Sequence, residues 1–183
     1  MPKSATGTSS KKGFTLLELL VVVLIIGLML GAVGFSMDSR EKQLELEADR
    51  LLALLRLAQQ ETLLTADEIA VAFHSRGYVF LRREKNQWLP AREDLYRPRL
   101  LDEELQLTLR FPEDGPNPVS LPSFAWKTET ATSADFAAAG HALPRIDFFS
   151  GGEITPFELS LALASSARKI MISGTMQGAI ALR

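Results

Sequence analysis

An uncharged apolar run near the N-terminus constrains this chain more than any other feature. No charged side chain occurs from residue 19 to residue 37, and residues 19–30 are almost entirely aliphatic. With a rise of about 1.5 Å per residue, a helix of this length covers close to the roughly 30 Å hydrocarbon core of a bilayer. The sequence therefore predicts a membrane-spanning helix.

A removable secretory signal peptide is the main alternative for this segment, because Lys11 and Lys12 supply a basic stretch before it. Signal peptides have a shorter apolar region that ends at a small-x-small cleavage site. Residues 31–34, Gly-Ala-Val-Gly, match such a site only weakly, and the apolar run continues without proline into another helical pattern. A permanent anchor is the better interpretation. Charge counting alone leaves the topology open, because three basic residues before the span are matched by three soon after it. The position of the basic pair directly next to the span mildly favours a cytoplasmic N-terminus.

Glu18 is a carboxylate placed at the start of the apolar run, four residues after Phe14. An acidic side chain at membrane depth costs several kcal/mol unless it is paired, and it usually marks a functional position. If the chain is cut between Gly13 and Phe14, the new α-amino group lies about one helical turn from Glu18. Alternatively it lies within reach of Glu18 in a neighbouring subunit. Cleavage would therefore create the missing cationic partner.

Residues 12–18, Lys-Gly-Phe-Thr-Leu-Leu-Glu, and the apolar run after them resemble the type IV prepilin signature of pilins and type II secretion pseudopilins. The resemblance implies that a prepilin peptidase cuts after Gly13 and methylates the nitrogen of Phe14. It also implies that Glu18 serves in subunit docking. Residues 1–13 would then be a leader peptide, and residues 14–37 the transmembrane half of a long helix.

Beyond the span, apolar or small residues recur at alternating four- and three-residue steps with charged residues between them. This spacing places one apolar stripe on a helix. Because no proline occurs from residue 3 to residue 89, one helix can continue from residue 14 to about residue 66. Residues 38–66 are thus predicted to be an extramembrane amphipathic helix packed on the protein's own sheet. The stripe consists of Leu44, Ala48, Leu51, Leu55, Ala58 and Thr62.

After Asp67 the pattern changes to short runs of alternating or β-branched residues separated by turn residues, which is typical of strands. The connections at residues 75–77 and 84–86 are too short for parallel crossovers, so they predict antiparallel hairpins. The predicted fold is α+β and pilin-like, with the long helix against an antiparallel β domain of two small sheets over residues 67–183. The predicted strands are 69–74, 77–82, 105–111, 146–149, 157–163 and 169–173.

Two stretches are predicted to be loops: residues 112–122, which hold four prolines, and residues 127–140, rich in Ala, Thr and Ser. Residues 148–159, Phe-Phe-Ser-Gly-Gly-Glu-Ile-Thr-Pro-Phe-Glu-Leu, resemble a signature of the H-type minor pseudopilins. Glycine permits the positive φ of a tight turn, and Pro156 suits a strand start. We therefore interpret this motif as a hairpin and not as a binding site.

Resemblance to these pseudopilins implies a subunit of a periplasmic filament that helps to export folded proteins across the outer membrane of Gram-negative bacteria. The subunit would be a single-pass inner-membrane protein whose C-terminal domain lies in the periplasm. The implied partners are other major and minor pseudopilins, the prepilin peptidase, the inner-membrane assembly platform and membrane lipid.

Composition argues against several other classes of function. A net charge of −2 and a pI near 5.8 lack the basic excess that nucleic-acid binding needs. Removal of residues 1–13 would leave 17 basic and 22 acidic residues, a formal −5. The chain has no cysteine, and His74 and His141 are not spaced as metal ligands. No nucleophile or phosphate-binding motif occurs. We expect no enzyme activity, cofactor, metal or nucleic-acid partner.

Two alternative functions remain open on the sequence alone. The first is a minor type IV pilin that initiates pilus assembly or DNA uptake. The absence of cysteine, and a C-terminus that lacks a basic tail, count against it. The second is a single-span sensor or enzyme, which the missing catalytic motifs and the prepilin-like site disfavour.

Overall fold

A computed structural model describes residues 15–123 and 143–183, except for the side chains of residues 30–38. The chain divides into two compact units, Met1–Ser39 and Arg40–Arg183. Helix α1, Leu16–Thr65, contributes to both. Gly13, Phe14 and the predicted loop at 127–140 lie outside the described residues. In the part of the chain that is described, no helix is long and apolar enough to cross a membrane.

Helix α1 agrees with the predicted helix to within two residues at its start. It ends at Thr65 because Ala66 adopts a left-handed conformation with φ +60°, a common way for helices to terminate. The Ala66 N–H donates to the Thr62 carbonyl oxygen at 3.0 Å. This bond satisfies one of the last carbonyl groups of the helix.

The predicted stripe on α1 is the side of the helix that enters the core. All six stripe residues, from Leu44 to Thr62, have an exposed fraction of 0%. Thr62 is the one polar member, and its hydroxyl donates to the Ala58 carbonyl oxygen at 2.9 Å. A hydroxyl that bonds its own helix can be buried without an unsatisfied group. The stripe packs against the protein's own β strands, as predicted.

The described part of the second unit also contains two sheets, and all of the strand pairs described are antiparallel. One sheet has the order β3-β2-β1-β6, with β4 also pairing with β2, and the other has the order β5-β7-β8-β9. The α+β prediction is therefore confirmed. The strands are β1 Ile69–His74, β2 Gly77–Glu84, β3 Gln87–Pro90, β4 Arg99–Leu100, β5 Leu105–Arg110, β6 Arg145–Phe148, β7 Phe157–Leu163, β8 Lys169–Gly174 and β9 Ile180–Leu182.

All six predicted strands are present, and three short ones were missed. Strands β4 and β9 have only two and three residues, too few for an alternating pattern to be recognised. Strand β3 has four residues and ends at Pro90, a residue that usually argues against a strand. The predicted hairpins at residues 75–77 and 84–86 are both found. In the second, Lys85 and Asn86 have φ values of +46° and +70°. Two consecutive left-handed residues are what the tightest hairpin turn requires.

The predicted hairpin at residues 148–159 is wrong in one respect. Phe148 and Ile154 form an isolated antiparallel bridge around a tight turn, and Gly152 has φ +89°. The strands on either side nevertheless belong to different sheets, β6 to the first and β7 to the second. Pro156 stands directly before β7 and has no N–H to donate, so the ladder cannot continue through it. The segment is a crossover between the sheets.

Candidate functional site

Thr15 organises the first turn of helix α1. The Glu18 N–H donates to the Thr15 hydroxyl oxygen at 3.3 Å and to the Thr15 carbonyl oxygen at 3.0 Å. The Leu19 N–H also donates to that carbonyl, at 3.3 Å. A threonine that accepts the free N–H groups of a first turn is an N-cap, and Thr-x-x-Glu is the capping-box pattern. Our sequence reasoning did not assign Thr15 a role, although this pattern could have identified it.

Glu18 lies in the first turn of α1, and its side chain is exposed. A carboxylate at this end of a helix is favoured by the unpaired N–H groups of the first turn. Among the residues that the structure describes, no cation forms an ion pair with Glu18. The predicted site thus brings Glu18 next to Thr15, while Gly13 and Phe14 lie outside the description.

The first half of α1 exposes a continuous apolar surface. Its large apolar side chains from Leu16 to Met29 are between 41% and 82% exposed. Single exposed apolar side chains are common on protein surfaces, but a contiguous apolar patch of this extent marks contact with protein or lipid.

Ion pairs join the second half of α1 to the two sheets. Arg168 pairs with Glu41 at 2.6 Å and with Glu45, and it follows strand β7 in the chain. Arg99 of strand β4 pairs with Glu47. These carboxylates lie on both sides of the buried stripe. The pairs are partly exposed, so each adds little stability.

Among the described residues, Arg82 is the one with the most ion pairs. It pairs with Glu61 of the helix, with Asp67 at 2.8 Å and with Glu93 at 2.7 Å. The Tyr96 hydroxyl donates to Glu61 at 2.8 Å. Burial and the Glu61 carboxylate raise the pKa of Tyr96, so this hydroxyl keeps its proton. The charged groups of this cluster around Arg82 are paired with one another, which indicates a structural role.

His74 is buried at the turn between β1 and β2. Its Nδ1 accepts the Arg76 N–H at 3.2 Å, which requires a ring without a proton on that nitrogen. Burial, and then the nearby Arg76 charge, lower the pKa of His74 to about 4. His74 is therefore neutral at neutral pH. Among the described residues, no group of three or more His, Cys, Asp or Glu could hold a metal ion.

Gln59 of α1 forms hydrogen bonds with the turn between β8 and β9 and with the turn at Gly152. Its amide nitrogen donates to the Gly178 carbonyl oxygen at 2.8 Å and to that of Gly152 at 3.4 Å. Arg56 donates to the Ile180 carbonyl oxygen at 3.0 Å. The turn at Gly152 in the motif and the turn at Gly178 between β8 and β9 therefore contact the same side of α1. From the sequence we assigned Gln59 no role, because its partners lie far away in the chain.

Comparison with known families identifies the chain. The sequence model of the family described as type II transport protein GspH matches residues 47–178. The chain belongs to the GspH family. A second model, the prokaryotic N-terminal methylation motif, matches residues 8–34. The sequence prediction of an H-type minor pseudopilin is thus confirmed.

Two curated relatives carry the same description, type II secretion system protein H. The Pseudomonas aeruginosa protein is 34% identical over 159 residues, with 84% of each chain covered. The Aeromonas hydrophila protein is 27% identical over 154 residues, covering 82% of the GspH-family chain and 80% of the relative. Both alignments therefore run over most of either chain.

The fold of the GspH-family chain also resembles a solved structure. The crystal structure of the minor pseudopilin EpsH from the type II secretion system of Vibrio cholerae superimposes with a TM-score of 0.57 at 21% identity. The superposition covers 77% of this chain and 93% of the Vibrio chain. This likeness supports the pilin-like fold.

Proposed function

We propose that the chain is a membrane-anchored minor pseudopilin of a type II secretion pseudopilus, the periplasmic filament that helps to export folded proteins across the outer membrane. The observation that carries this proposal is the presence in one chain of both family matches, the methylation motif at residues 8–34 and GspH at residues 47–178. A methylation motif alone would suit a minor type IV pilin equally well, and the GspH match favours the secretion branch.

Maturation is proposed to occur between Gly13 and Phe14, with removal of the leader 1–13 and N-methylation of Phe14 by the prepilin peptidase. The position of Glu18 supports this proposal. The Thr15 cap holds the Glu18 backbone in the first turn, about one turn from the amine that cleavage would create. We propose that this amine, or that of a neighbouring subunit, neutralises Glu18 during assembly.

The membrane anchor is proposed to be residues 14–37, crossing the Gram-negative inner membrane once. Its support is the uncharged run from residue 19 to residue 37 and the exposed apolar side chains between Leu16 and Met29. Buried in lipid or among other subunits, these side chains would each be removed from water, which is favourable by about 1.5–3 kcal/mol for a fully buried side chain.

Residues 38–66 and the β domain 67–183 are proposed to lie in the periplasm. The partners are other major and minor pseudopilins along the helix, the inner-membrane assembly platform and membrane lipid. The role is structural. We propose that the protein is a substrate of the peptidase and not an enzyme, with no cofactor and no nucleic-acid partner.

Mass measurement of the membrane-extracted protein tests maturation directly. In cells that contain the peptidase we expect the mass of residues 14–183 plus one methyl group, and in cells without it the uncut chain. A Gly13→Val variant should stay uncut, whereas Gly7→Val in the same leader should be processed. Any other N-terminus, or an uncut chain despite the peptidase, would refute the processing site.

Secretion by a deletion strain tests the role of Glu18. Glu18→Gln keeps the shape of the side chain and removes its charge, so the protein should be cut normally yet fail to restore secretion. Glu41→Gln, which alters one exposed ion pair in the second unit, serves as the control and should restore it. Full secretion with Glu18→Gln would contradict the docking role.

A further inference from the structure

We draw no further inference here: the strongest candidate, the surface formed by the exposed apolar side chains of Leu63, Phe149 and Met176 beside the turn at Gly152, carries none, because nothing in the residues that the structure describes shows what covers it.

Discussion

Lowering the pH from neutral should destabilise the folded second unit through His74. The side chain is fully buried, and burial lowers its pKa in the folded protein to about 4, against an ordinary value of 6.5. Between these values the unfolded chain binds a proton at this site and the folded chain does not. The contribution of His74 to the free energy of unfolding is therefore fully present above about pH 6.5, and it is lost as the pH falls towards 4.

The magnitude follows from the size of the shift. One pKa unit corresponds to about 1.36 kcal/mol, so the difference between 6.5 and about 4 predicts a loss of about 3 kcal/mol from His74. For a protein of this size such a loss lowers the melting temperature by roughly 6–12 °C. Below about pH 4 both states carry the proton, and His74 adds no further dependence.

Urea denaturation between about pH 7.5 and about pH 4 measures this loss, with His74→Asn as the control. The Asn side-chain oxygen can accept the Arg76 N–H as Nδ1 does, but it does not titrate. All other titrating groups, including Asp147, are common to both proteins. Wild type should lose about 3 kcal/mol more than the variant. Equal losses over this range would refute the assignment of a buried neutral histidine.

Two further substitutions test the packing of the second unit. Leu51→Ala truncates a fully buried stripe residue, and it should lower the free energy of unfolding, measured in urea, by about 2–5 kcal/mol. Leu46→Ala is the control: this side chain is 70% exposed, so the free energy of unfolding should change by less than about 0.5 kcal/mol. Gly178→Ala should cost about 1–3 kcal/mol, because Gly178 has φ +84° and a Cβ there would lie 2.3 Å from the Gln59 amide nitrogen. Gly151→Ala, where a Cβ meets nothing within 4 Å, should be nearly neutral in the same assay.

The helix and most of the strands could be predicted because their signals are local. The stripe from Leu44 to Thr62 repeats at helical spacing, and any packed solution must bury that side of the helix. Strands such as Leu105–Arg110 and Phe157–Leu163 are long enough for alternation to be visible. Strand Arg99–Leu100 could not be predicted, because two residues carry no periodicity and become a strand only by pairing with β2.

In the candidate site, too, some residues could be recognised from local sequence signals, and others stay predictions. Glu18 was recognisable from the sequence, because a carboxylate beside an uncharged apolar run conflicts with its surroundings whatever the fold. The Thr15 cap is also local and follows from the Thr-x-x-Glu spacing. Gly13 and Phe14 stay predictions, based on the motif and awaiting the mass measurement.

What the sequence by itself determined is the apolar run at residues 19–37, the buried stripe of α1 and the family of the chain, since each depends on residues close together along the chain. Only the tertiary structure decided that Gln59 holds the turn at Gly178 and that β6 and β7 belong to different sheets. These features depend on groups that are far apart in the chain. No local pattern encodes such contacts, because they exist only once the core has brought the helix and both sheets together.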